Sequence, residues 1–182
     1  MSGQVFLFDP TDRFVVGTVG IPGERTFFIQ ARTGTRMVSV SLEKAQVAAL
    51  ADRIQQILRE VRSSEPLTLF DRSVRDDQPL ETPIDEEFRV GVIGIAYVSD
   101  RRLIEIDLQA ISDSQSPEDE EALMEMAGSQ DILRVLITLG YAEGFAKRAL
   151  AVVGAGRAPC PFCGGPIDPS GHLCPRANGY RR

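Results

Sequence analysis

One strand pattern occurs twice in this chain, and it restricts the folds that the chain can adopt. The run Phe14–Ile21 (FVVGTVGI) matches the run Phe88–Ile95 (FRVGVIGI) at five of eight positions. Both runs are rich in β-branched residues, and each is followed by further strand-like segments and then by a helical pattern. The repeated order predicts an α+β fold: two βββα repeats that form one antiparallel sheet, with the helices on one side.

The similarity continues in the same order along both halves. Ile29–Ala31 resembles Leu108–Ala110, and in each half a later strand runs into a Ser or Thr, namely Ser41 or Thr138. Hydroxyl residues at such positions are preferred helix N-caps, so we expect both to begin a helix. The alternative is that two strand-rich regions resemble each other through composition alone.

Helical periodicity is clearest after Ser41. Apolar residues recur there at spacings of three and four, which predicts an amphipathic helix of about five turns. The residues of this stripe are Val47, Leu50, Ile54, Leu58 and Val61.

Composition divides the chain into a body and a tail. Residues 64–86 mix Pro, Ser and Asp without a sustained period, which is typical of a linker or an irregular crossing. Residues 113–131 contain seven acids and no Lys or Arg, which predicts a solvated acidic loop. The predicted organisation is a body at 1–153 (first half 1–63, linker 64–86, second half 87–153) and a zinc-binding tail at 154–182.

Charge and composition exclude several classes of protein. The formal net charge is -6, so the whole chain is not a polycation that coats nucleic acid. No apolar run is long enough to span a membrane, and the N-terminus lacks a secretory pattern, so we expect a cytoplasmic protein with no membrane partner. The chain has one His, and its use as a metal ligand would leave no His to act as a general base.

All three Cys and the only His lie in the last 23 residues. Their spacing, C-x2-C-x8-H-x-C, predicts that Cys160, Cys163, His172 and Cys174 form a Cys3His zinc site. A site with four protein ligands has no open position for substrate, so the zinc would be structural.

Three other readings of these residues stay open. Cys-Pro-Phe-Cys resembles a redox pair, although the Gly-Gly-Pro that follows opposes the helix such a pair requires. Asp168 could replace His172 as the fourth ligand, or the three thiols could be unrelated.

The chain ends in residues that could grip phosphate or stack on a base: Arg176, Asn178, Tyr180, Arg181 and Arg182. They make the tail basic, whereas the body is acidic. The alternative is that these residues pack against the body or meet the acidic loop.

Several motifs together resemble a bacterial family known as domain of unknown function 3090. They are FLFDP near the start, a Ser-Leu helix entry, an acidic insert and the terminal CPFCGGPIDPSGHLCPRANGYRR. The resemblance covers essentially the whole chain, and it implies a cytoplasmic bacterial protein with a zinc tail. It implies no established reaction, so only the four metal ligands transfer to this chain.

These observations favour a non-catalytic binding or assembly module with an unknown protein partner. A homodimer is possible only because two-fold dimers are the commonest oligomers of soluble proteins. Nucleic-acid binding through the zinc tail is one alternative. The other is an enzyme that uses Glu105 and Asp107, with Asp9 or Asp12, to bind Mg²⁺ or Mn²⁺.

Overall fold

The computed structural model describes residues 3–21, 23–111, 130–156, 160–163, 167, 174 and 176. Over these residues the chain forms seven strands and two helices in an α+β arrangement. In chain order they are β1 (Val5–Phe8), β2 (Arg13–Val19), β3 (Thr26–Thr33), β4 (Arg36–Leu42), α1 (Lys44–Ser64), β5 (Glu86–Val98), β6 (Leu103–Ala110), β7 (Ile132–Thr138) and α2 (Leu139–Gly154).

All seven strands belong to one mostly antiparallel sheet with the order β1-β7-β6-β5-β4-β3-β2. β2-β3-β4 and β5-β6-β7 are antiparallel meanders, each followed by a helix. They lie side by side through the parallel pair β4–β5, and β1 adds to β7 in parallel. The element order is therefore β-β-β-β-α in the first half, where β1 precedes the meander, and β-β-β-α in the second.

The strand registers do not reproduce the residue matches between the halves. In the first half Ala31 pairs with Val38. The matching residues of the second half are Ala110 and Val135, but Val135 pairs with Ile106. Internal duplication of the sequence therefore stays a prediction.

The connection between β1 and β2 shows that the sheet curls. These strands form its two edges, yet only residues 9–12 join them, and five Cα steps reach about 18 Å. A flat seven-stranded sheet would separate its edges by about 29 Å. Two hydrogen bonds also join distant parts of the sheet, as a curled sheet requires. The Thr11 hydroxyl donates to Leu136 O of β7, and Arg36 of β4 donates to Leu7 O of β1.

The predicted apolar stripe is the buried face of α1. All five of its residues are buried in one core that also includes residues of every strand and of α2. The two helices pack against each other, and α2 also packs on β2 through the stacked rings of Phe14 and Phe145.

One of the two expected N-caps is wrong. Ser41 lies within β4, where its hydroxyl donates to the Glu86 carboxylate. The N-cap of α1 is Glu43, whose main-chain N–H donates to the Gln46 side chain. Strand pairing carries the chain past Ser41 because β3 and β5 both bond to β4 there. Thr138 does cap α2, since its hydroxyl accepts from the Tyr141 N–H.

Residues 65–85, named the crossing segment below, have no helix or strand but are tied to the sheet. Arg13 of β2 is 8% exposed and binds both carboxylate oxygens of Asp76. Gln30 of β3 donates to Glu81 O and accepts from the Glu81 N–H. The segment therefore crosses the face of β2 and β3 that bears Arg13 and Gln30.

Within the described residues, no helix is both long and apolar enough to span a membrane. Most of the predicted acidic loop 113–131, namely residues 113–129, lies outside the described part of the chain.

Candidate metal centre

Three of the four predicted ligands come together in the structure. Cys160 precedes a turn at residues 161–163 that brings Cys163 back towards it, and Cys174 joins them from further along the chain. The three sulfur atoms lie within 4.8 Å of one another. Cys160 and Cys174 are buried, and Cys163 is half-buried. Among the described residues this is the one such group of His, Cys, Asp or Glu side chains that could hold a metal ion.

The sulfur separation fits a tetrahedral metal ion. The Sγ atoms of Cys160 and Cys174 are 3.8 Å apart. Zn–S bonds of about 2.3 Å in tetrahedral geometry place two sulfurs about 3.8 Å apart, whereas a disulfide requires about 2.05 Å. The donor set therefore suits Zn²⁺ in distance and in chemistry, although soft thiolates also bind other thiophilic metals.

The surroundings of Cys160 favour its thiolate form. Burial raises the pKa of this thiol, but main-chain N–H groups of Cys163 and Phe162 and the neighbouring thiols of Cys163 and Cys174 outweigh burial and lower it to about 7. Hydrogen bonds from N–H groups stabilise the charged sulfur. Metal ligation requires thiolates, so the turn prepares Cys160 to bind a cation.

Arg176 lies beside the cysteine turn. Its Nη1 donates to the Phe162 carbonyl at a distance of 3.2 Å. The guanidinium thus links the residues after Cys174 to the turn between Cys160 and Cys163. This contact favours the structural reading of Arg176 over contact with a phosphate.

The other predicted site residues lie outside the described part of the chain. They are His172, the candidate fourth ligand, the alternative ligand Asp168, and the candidate contact residues Asn178, Tyr180, Arg181 and Arg182. The identity of the fourth ligand and the role of the basic end therefore stay predictions.

The structure does not bring the candidate catalytic carboxylates together. Arg134 of β7 binds both oxygens of Asp107 at 2.7 and 2.5 Å and approaches Glu105 at 3.9 Å. Asp9 binds Arg101, and Asp12 accepts from the Gly34 N–H. Each carboxylate already has a partner, so this arrangement offers no cluster for Mg²⁺ or Mn²⁺.

Sequence analysis missed a cleft of about 690 Å³ between the crossing segment and α2. Arg75, Lys147 and Arg148 line it, but these cations pair with Asp77, Glu143 and Asp76, respectively. In the described lining, the charges therefore largely neutralise one another. The cysteine cluster remains the candidate functional site.

Comparisons with known proteins identify a family for this chain but no functional site. Neither the comparison with curated proteins nor the comparison with solved structures returned a match. A family model described as "Protein of unknown function (DUF3090)" matches residues 6–174. That range includes α1, α2, the sheet and all three clustered cysteines. The chain therefore belongs to the DUF3090 family.

Proposed function

We propose that this protein is a zinc-stabilised, non-catalytic binding or assembly module. The observation that carries the zinc is the convergence of Cys160, Cys163 and Cys174 with a sulfur separation that fits tetrahedral Zn–S geometry. Cys160, Cys163 and Cys174 form no disulfide, and thiols persist as ligands in a reducing compartment, so we place the protein in the cytoplasm.

A structural role suits this site better than zinc catalysis. Two of the three sulfurs are buried, and a fourth protein ligand, for which we propose His172, would complete the coordination of the ion. The ion would then have no open position to activate water or substrate. It would instead supply the folding free energy that a short tail with little apolar surface lacks.

Metal analysis tests the proposal directly. We expect elemental analysis of the native protein to find one zinc per chain, and Cys163→Ser to bind it at least about 10-fold more weakly. A native protein without bound metal that also fails to bind added Zn²⁺ would contradict the proposal.

Cobalt substitution identifies the fourth ligand. We expect the Co²⁺ form to show sulfur-to-metal charge transfer and tetrahedral d–d bands. His172→Ala should shift the d–d bands, whereas the matched variant Asp168→Ala should not. The reverse pattern would assign the fourth position to Asp168.

A further inference from the structure

Within the described residues, strand edges are exposed on β2, β1 and β5, and side chains bond to the main chain of the first two. On the β2 edge, the Phe14 N–H donates to the Tyr141 hydroxyl and Arg148 donates to Val16 O. β1 is four residues long, and Arg36 donates to its Leu7 carbonyl. Covered and short edges are how proteins prevent unwanted strand pairing.

The third stretch is on β5. β4 pairs with this strand only from Glu86 to Arg89, because β4 ends at Leu42 while β5 continues to Val98. Gln46 of α1 donates to the carbonyls of Val90 and Gly91. Beyond these, β5 pairs with β6 on one side, and no described side chain bonds to its main chain on the other. We name Val92–Val98 the open edge.

The composition of the open edge favours strand pairing. Its sequence, VIGIAYV, contains β-branched and aromatic residues, no charge and no Pro. Val92 is 57% exposed. Lys, Pro and inward-pointing charges are three of the means by which proteins block an edge, and Val92–Val98 contains none of them. The open edge is therefore a template for a further strand.

The flanking helix indicates which strand would fit. α1 runs alongside β5: Gln46 bonds to Gly91 near its start, and Glu65, the C-cap residue just after it, accepts from the Tyr97 hydroxyl. Midway, a groove of about 230 Å³ is lined by Ile57 of α1 and Ile95 of β5.

Two charged residues of α1 lie on opposite sides of Ile57 along the groove. Arg53 and Glu60 both line it, are about half exposed, and are 3.8 Å apart at their closest charged atoms. A two-fold axis near Ile95 would pair two open edges in antiparallel fashion. It would also set Arg53 opposite Glu60 of the partner subunit, and the partner's Arg53 opposite Glu60.

We infer that the protein forms a symmetric homodimer by pairing the open edges of two copies into one continuous sheet. The main-chain groups of the open edge then gain partners, and the opposite charges on α1 meet across the axis. The inference rests on the proposed assembly role, and it identifies the partner as a second copy of this chain. It does not depend on the metal.

Solution mass tests the dimer. At a concentration on the order of 100 µM, well above the micromolar Kd expected of a small interface, light scattering should give a mass near twice 19.9 kDa. Val92→Lys should give the monomer mass with an unchanged circular dichroism spectrum. Leu67→Lys, at a 93% exposed position outside the sheet, should stay dimeric. A monomeric native protein, or a dimer unaffected by Val92→Lys, would overturn the inference.

Charge exchange tests the two-fold axis. Arg53→Glu or Glu60→Arg alone should raise the dimer Kd about 10-fold, and the double variant should restore it. Arg59→Glu is the matched control, because Arg59 lies on α1 but lines a different groove, the one between α1 and α2. This variant should leave the dimer Kd unchanged. Failure of the double variant to restore dimerisation would contradict this axis.

Zinc content separates this inference from the proposed function. Each variant should keep its metal even where the dimer is lost. A monomer that retains zinc would contradict only the dimer, whereas a dimer without zinc would contradict only the metal proposal.

Discussion

Asp76 holds two arginines of different elements in place. It binds Arg13 of β2 through both carboxylate oxygens, and Arg148 of α2 lies 3.4 Å from it. The hydrogen bond from Arg13 holds the pKa of Asp76 below its ordinary value of 3.8, against the opposing effect of burial. The ionised carboxylate therefore stabilises the folded state above pH 3.8, and this contribution is lost as the pH falls through the lowered pKa.

We expect Asp76→Asn to destabilise the protein by about 3 kcal/mol at pH 7, because Arg13 loses a buried ionic partner. The difference from the native protein should shrink below about pH 4, where the Asp76 carboxylate becomes protonated in the unfolded state, and should vanish below the lowered pKa of the folded state. Urea unfolding at several pH values measures both effects.

Asp77→Asn is the matched control. Asp77 is exposed and pairs with the exposed Arg75, so its loss should cost less than about 1 kcal/mol. Equal costs for the two variants would contradict the structural role of Asp76.

Sequence reasoning did not anticipate this cluster. Arg13 follows the turn-like run Asp9-Pro10-Thr11-Asp12 and carries no local sign that it is buried. Its partner lies 63 positions away, in a segment without periodicity. Only the fold brings the two together. The three cysteines contrast with this pair, because their clustering in the sequence already predicts that they come together.

At the scale of elements, the crossing segment packs closely on α2. A Cβ built on Gly144 would lie 1.8 Å from Val74 O, and Asp71 accepts from the Gly140 N–H. The helix therefore uses glycine where the crossing segment approaches its backbone.

We expect Gly144→Ala to destabilise the protein by about 1–3 kcal/mol, although Ala has the higher helix propensity. The added methyl group must displace the main chain at Val74. Thermal and urea unfolding measure the change.

Gly154→Ala controls for helix propensity. This glycine also belongs to α2, but a Cβ there would meet no atom within 4 Å. It should be neutral or stabilise by up to about 1 kcal/mol. Stabilisation by Gly144→Ala of the same size would show that the crossing segment does not pack as described.

At the scale of the whole molecule, the hydrophobic core and the cysteine cluster are separate parts of the structure. The hydrophobic core includes residues of every strand and both helices, but no described residue after α2. Metal loss should therefore affect the tail more than the body.

We expect a chelator to change the unfolding free energy of the body by less than about 1 kcal/mol, because the body buries its own core. The tail should become susceptible to trypsin at Arg176, which contacts the cysteine turn through the Phe162 carbonyl, since the proposed zinc would supply the folding free energy of the tail. Limited proteolysis with mass spectrometry and a parallel thermal melt test this. Cooperative unfolding of the whole protein on chelation would contradict it.

The sequence by itself determined the features that depend on neighbouring residues. The apolar stripe of α1, the Thr138 cap, the α+β class and the cysteine ligands all follow from spacing along the chain. Covalent geometry converts such spacing directly into a face, a turn or a ligand pair.

Only the tertiary structure decided the curl of the sheet, its strand registers, the course of the crossing segment and the open edge of β5. Each of these depends on which distant residues meet, as when Arg13 meets Asp76 or β4 ends beside the longer β5. The physical reason is that such pairings minimise the free energy of the whole chain, and no local pattern records them.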